Sequence, residues 1–150
     1  MNFSIYTSYF YQIRNFTPNM VPVSTCLSDP AWYRPPEGKE YYIDKRGIVC
    51  GLRYEPLIVQ PTWGCCPCED QGKGRPDCDF IKEYRRGLYQ FVDKEKTLKA
   101  FEYCLNKFNA DTIVLIVYET PKNPCSERYA LQEFFNCQEL VYPIDKNYKL

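Results

Sequence analysis

The 150-residue chain contains no histidine, and its 19 Lys and Arg are balanced by 19 Asp and Glu. Without an imidazole, a Ser-His-Asp triad, a Cys-His protease site or a zinc site with His ligands cannot be built from this chain alone. Proton transfer falls to Asp, Glu, Lys, Tyr or Cys. A formal charge of zero argues against a general cationic coat for nucleic acid and leaves room only for a local basic patch. No run approaches the roughly 18 consecutive apolar residues of a membrane span, and mean hydropathy is −0.50. No membrane partner is therefore expected. The opening MNFSIYTSYF lacks the basic and apolar segments of a secretion signal, so a cytoplasmic setting with reduced thiols is expected.

What the chain has in excess is cysteine and aromatic rings. Its 9 Cys are an odd number, so disulfides alone cannot pair them. Aromatic residues make up 17% of the chain, with 14 Tyr among them. A small core cannot satisfy so many hydroxyls, so many of these rings belong at the surface or in a cleft. The length suits one domain over residues 1–150, large enough to bury roughly 70% of its unfolded surface.

Strands are expected at Phe3–Thr7 and Met20–Ser24, with Pro22 placing the second at a sheet edge or bulge. Tyr9–Asn15 reads as a helical turn and residues 27–47 as a long ordered loop. Short strands are expected at Ile48–Cys50 and Leu57–Val59. A helix then follows Asp77 or Asp79, with Phe80, Tyr84, Leu88 and Phe91 on its inner face. A second helix spans about Lys94–Asn106, with Leu98, Phe101 and Leu105 inward. Thr112–Tyr118 is a continuous apolar run suited to a strand covered on both faces. A third helix is expected from Asn123 to about Asn136, and a last strand at residues 139–144. Strands alternating with helices give an α/β class.

Two segments carry candidate chemistry. At Asn123-Pro124-Cys125-Ser126-Glu127-Arg128, Asn is a good N-cap and Pro a good first helical residue. Cys125 and Ser126 would then sit in the first turn, where unpaired N–H groups favour an anion and a thiolate. Arg128 would reach a phosphate or carboxylate, and Glu119 would follow the buried strand into the cleft beyond the strand ends. The same residues also make an ordinary helix start with Glu127 and Arg128 solvated. In the Cys/Pro/Gly-rich loop over residues 61–78, Cys65, Cys66, Cys68 and Cys78 include one zinc-knuckle pair. No second tight pair completes it, so the cluster is a zinc staple, a disulfide or redox pair, or a set of free thiols. Trp32 and Tyr33 beside Arg34, with Tyr41 and Tyr42 near Lys45 and Arg46, interleave rings and cations as base-stacking surfaces do. Such rings also serve simply to close a small domain.

The segment IVLIVYETPKNPCSERYALQEFF resembles the C-terminal signature of an uncharacterised bacterial and phage family, domain of unknown function 488. IYTSYFYQIRNF and VPVSTCLSDPAWY resemble its first two strands and the aromatic loop after them. The family's usual Cys-His-Arg turn is replaced here by Cys125-Ser126-Glu127-Arg128. The resemblance implies a Rossmann-like three-layer fold with a short, mostly parallel sheet, and Thr7, Ser8, Ser24, Glu119, Cys125 and Arg128 near one cleft. It also implies a bacterial host or phage-infected cell, and it implies no reaction.

The expected function is an enzyme acting on a nucleotide, nucleoside or nucleic-acid component. Glu119 and Cys125 are its candidate catalytic residues. Thr7, Ser8, Ser24, Trp32, Asn123, Ser126 and Arg128 are its candidate binding residues. The alternatives are a non-catalytic, phage-encoded module that captures a nucleotide, and a zinc-stapled interaction protein.

Overall fold

Strand β5 (Thr112–Val117) is buried at every residue, as an unbroken apolar run of β-branched and aliphatic side chains should be. A computed structural model describes residues 2–58, 79–121 and 126–141. In it β5 pairs in parallel with β1 (Ser4–Tyr9) on one side and β2 (Met20–Ser24) on the other. A short β6 (Gln138–Glu139) joins the free side of β1, giving a four-stranded parallel sheet ordered β2-β5-β1-β6. The class is α/β. Pro22, which has no N–H to donate, lies in the edge strand β2. The rim of that strand is covered at its end, where Ser24 N–H donates to the Leu52 carbonyl at 2.9 Å.

Side chains alternate across a strand, and the sheet divides its two faces accordingly. Val21, Val23, Ile113, Leu115 and Val117 face one core with α1 (Asp79–Phe91), α2 (Lys94–Phe108) and α3 (Arg128–Phe135). Val114 and Ile116 face the other core, with Phe10, Ile13, Phe16, Tyr33 and Ile48. No α-helix covers this second face among the described residues. It is closed by a 3-10 helix at Phe10–Asn15, another at Ala31–Tyr33, and the antiparallel pair β3 (Tyr42–Ile43) and β4 (Val49–Cys50). Tyr33 is fully buried there, and its hydroxyl donates to the carbonyls of Leu52 at 2.7 Å and Pro22 at 3.2 Å. Gly51 follows β4 at φ +107, where a Cβ would stand 2.9 Å from Pro35 Cδ, so only glycine fits without a shift.

Five expectations need correction. Helix α3 begins at Arg128, so Ser126 precedes it instead of standing in its first turn. The Ser126 hydroxyl takes up the Arg128 N–H at 3.2 Å and supplies the start that Asn123 was expected to give. Leu57–Val59 is no strand over its described part: Glu55–Leu57 is a 3-10 turn, because Pro56 fixes φ and has no N–H for a ladder. Phe91 lies on the inner stripe of α1 but at its final residue, and it is 77% exposed. The last strand among the described residues is Gln138–Glu139, and the 142–144 part of the expected strand lies outside them. The long loop at 27–47 is interrupted by the Ala31–Tyr33 turn and by β3.

Candidate functional site

Past the carboxyl ends of β5 and β2, three chain segments converge: Glu119 after β5, Thr25 and Cys26 after β2, and Ser126 to Arg128 at the start of α3. The period-two alternation of β1 separates the expected pair Thr7 and Ser8. Thr7 accepts a hydrogen bond from Gln132 Nε2 at 2.8 Å and donates to Glu139 Oε1 at 2.7 Å. Ser8 pairs in register with Ile116, whose side chain belongs to the second core. Its fully buried Oγ has no hydrogen-bond partner among the described residues. Ser24 also stands beside Ile116, and its hydroxyl donates to Asp29 Oδ1 at 2.5 Å. Asp29 in turn holds Arg53 at 2.6 Å.

Arg128 organises the first group. Its side chain is 1% exposed, and Nη1 stands 3.1 Å from Glu139 Oε2. Those two buried atoms are paired by distance without hydrogen-bond alignment. Nη2 donates to the Glu119 carbonyl, and Nε donates to Ser126 Oγ at 3.3 Å. The guanidinium also sits 5.8 Å from the Tyr9 ring centre. Thus it ties the end of β5 to the start of α3 and to β6. Ser126 Oγ completes the link by donating to Glu119 Oε2 at 3.1 Å.

The ordinary-helix-start alternative has Glu127 solvated, but it is 2% exposed. Its Oε1 receives the Thr25 hydroxyl at a long 3.4 Å. Burial raises its proton affinity most, and the neighbouring charge of Glu119 adds to that, moving the carboxyl up to about 8. A carboxyl that holds its proton near neutrality therefore stands beside the half-buried Glu119. Burial also pushes the Glu139 carboxyl up, opposed by Arg128 and by the Thr7 hydrogen bond. Cys26 is buried beside the same acids, and burial followed by Glu127, Glu119 and Asp29 drives its thiol well up. It remains a neutral thiol and not a thiolate nucleophile. Tyr84 of α1 is raised by burial and then by Glu127, and its hydroxyl donates to the Leu57 carbonyl at 2.6 Å.

The structure thus brings together Thr7, Glu119, Ser126 and Arg128 and adds Glu127, Glu139 and Gln132. Ser24 belongs to the separate Asp29–Arg53 network. Trp32 stands against Phe10 and Tyr33 of the second face. Among the described residues, no hydrogen bond or ring contact joins it to the acidic cluster. Asn123 and Cys125 lie outside the described residues, as do the candidate zinc ligands Cys65, Cys66, Cys68 and Cys78. Among the described residues no group of three or more Cys, Asp or Glu is arranged to hold a metal ion, and no helix is long and apolar enough to cross a membrane. The only pointer to Glu127 came from the expected resemblance, which would set Ser126-Glu127 in the place of a His. Glu139 gave none, since a Glu opening an apolar run looks like a strand end. Compared with known proteins, the chain matches no family model, no curated protein and no solved structure.

Proposed function

We propose that the chain is a small enzyme, a hydrolase or transferase acting on a nucleotide, nucleoside or nucleic-acid component, with its proton chemistry in the Glu119–Glu127 pair. The observation that carries this reading is the pair itself. Two carboxyls meet beyond the end of the central strand, and burial keeps one of them protonated near neutral pH. An acid that burial keeps protonated near neutral pH is suited to donate that proton. Glu119, half-buried and held by Ser126, is the base; Glu127 is the acid. In a chain without histidine, such a pair is also one available route to reversible proton transfer near pH 7. Arg128 acts here as a positioning residue, since its guanidinium is turned inward to Glu139 and Glu119. We further read the parallel sheet and its two covered faces as a Rossmann-like three-layer fold, in line with the resembled family. The cleft beyond its strand ends is where ligands of open α/β sheets bind.

Turnover of a panel of nucleosides, nucleotides and short oligonucleotides by the purified chain tests the reading. Glu119→Gln and Glu127→Gln are each expected to lower kcat by about 10²–10⁴-fold, the usual share of general acid–base catalysis. The parent is expected to show a bell-shaped pH profile that each variant reduces to one limb. Stoichiometric binding without turnover would instead assign the chain to capture of a nucleotide. Native mass spectrometry of the same sample reads any bound zinc and any co-purified ligand, and so also tests the cysteine-loop alternative.

A further inference from the structure

A second site lies across the sheet from the acidic pair. The 3-10 helix Phe10–Asn15, the Ala31–Tyr33 turn and the β3–β4 pair enclose an open cavity of about 440 Å³. That volume falls in the range of small-molecule sites. Its walls are aromatic and its rim is charged. Trp32 stacks on Tyr33 with ring centres 6.0 Å apart and an interplanar angle of 25°. Phe10 meets it edge-on at 6.2 Å. The Tyr42 hydroxyl donates to the Trp32 carbonyl and pins the turn. Trp32 is nevertheless 51% exposed, so a large ring set on a packed base presents much of its surface to the cavity and to solvent.

Among the described residues, two arginines and one aspartate are the charged groups of the lining. Arg14 lies over the Tyr11 ring, 4.2 Å from its centre. Arg46 is held in a fixed position: its Nε and Nη2 donate to Asp44 Oδ2 at 3.3 and 3.1 Å, and its Nη1 and Nη2 to the Arg14 and Ile13 carbonyls. Asp44 is largely engaged in turn, since its Oδ1 accepts the Ile48 and Arg46 N–H groups. Among the described residues the lining therefore sets two arginines against one aspartate, next to its aromatic rings.

That combination selects its ligand. An apolar ligand would desolvate the arginines for no return, and a cationic one would be repelled by them. A sugar alone would leave the rings without a planar partner. A planar base with an attached phosphate satisfies both halves, stacking on Trp32 while the phosphate meets the arginines. We propose that the Phe10–Trp32–Tyr42 cavity is a binding site for a nucleobase bearing a phosphate, separate from the Glu119–Glu127 pair. The ligand is either a free nucleotide or one unit of a single strand, since both present the same chemistry.

Isothermal titration calorimetry of the full chain with AMP, with a short deoxythymidine oligonucleotide and with inorganic phosphate tests this. AMP or the oligonucleotide is expected to bind saturably, and phosphate at least tenfold more weakly. Trp32→Ala is expected to weaken binding about 10–100-fold, as loss of one base–aromatic stack does. Trp32→Phe should keep most of the affinity, and Arg14→Gln should lose about tenfold. An oligonucleotide that binds at least tenfold tighter than AMP assigns a single-strand track, and equal affinities assign a free nucleotide. The proposal is overturned if neither base-bearing ligand binds, or if phosphate alone binds as tightly. It is also overturned if Trp32→Ala, in a protein with the parent's melting curve, binds unchanged. Should Trp32→Ala melt differently, the exposed Arg14→Gln and the conservative Trp32→Phe still decide the outcome. The titration reads binding without turnover, so an inactive Glu119–Glu127 pair does not affect it.

Discussion

Burial sets the behaviour of Glu127. Its ordinary value of 4.5 is moved up to about 8, first by desolvation and then by Glu119. A group whose proton affinity is higher in the folded state stabilises the fold fully below its unfolded value. That contribution is lost as pH rises through the folded value. Folding stability should therefore decline between about pH 4.5 and pH 8, and Glu139, which burial also pushes up, acts in the same direction. Asp44 and Asp111 are shifted down, so their effect falls below that window. Glu127→Gln removes the buried charge, and urea denaturation should show it more stable than the parent at pH 8.5, by about 5 kcal/mol. Near pH 4.5 the two proteins should be close to equal. A pH slope that survives in Glu127→Gln would place the responsible proton elsewhere. Arg128 behaves in the opposite way. Arg128→Met leaves Glu139 facing a buried gap and should cost about 3–5 kcal/mol. The double variant with Glu139→Gln should recover much of that, which urea midpoints of the four proteins would read as a coupling.

Helices and strands were legible where one face carries a regular apolar pattern. The run at Thr112–Val117 and the spacing of Phe101 and Leu105 are local signals that tertiary packing had no reason to override. The start of α3 was misplaced because Asn123 and Pro124 are good capping residues in isolation. The observed start instead depends on Ser126 and on Arg128 reaching Glu119 and Glu139, and Glu139 is eleven residues away in sequence. Contacts of that range leave no mark on a local pattern. Helix ends offer a cleaner test. Helices α2 and α3 both stop at an Asn in the left-handed region, Asn109 at φ 53 and Asn136 at φ 51. Beyond each, the next N–H closes back onto the helix, Ala110 to Leu105 and Cys137 to Gln132, both at 2.9 Å. Asn109→Ala or Asn136→Ala should cost about 1 kcal/mol, because a Cβ without a polar side chain is disfavoured there. The corresponding Gly variants should be neutral or slightly stabilising. Thermal melts of the four variants would check the ranking, and an Ala variant as stable as its Gly counterpart would contradict it.

Across the whole molecule, one sheet separates two sites of opposite character. Acids gather on the helical face at the strand ends, and arginines and rings gather on the face closed by 3-10 turns. Composition could not show this division, because equal numbers of charges sum to zero wherever they lie. Nor could it separate Thr7 from Ser8, or Trp32 from Glu119, until the strand register was known. The zero net charge does constrain how the second site works. A protein without a long-range positive field cannot recruit a polyanion through counterion release over a broad surface. Binding at the Trp32 cavity should depend on stacking and on the two local arginines. For single strands the slope of log affinity against log salt is about −0.7 for each phosphate neutralised. Two arginines on the lining set an upper limit of about −1.4. Titrations of the oligonucleotide between low and moderate salt should give a slope no steeper than that, and Arg14→Gln should flatten it by about half. A slope several times steeper would show that cations outside the cavity dominate, and the single-strand reading would then have to move to another surface. A shallow slope that Trp32→Ala leaves unchanged while affinity falls would separate the two contributions, with the ring holding the base and the arginines the phosphate.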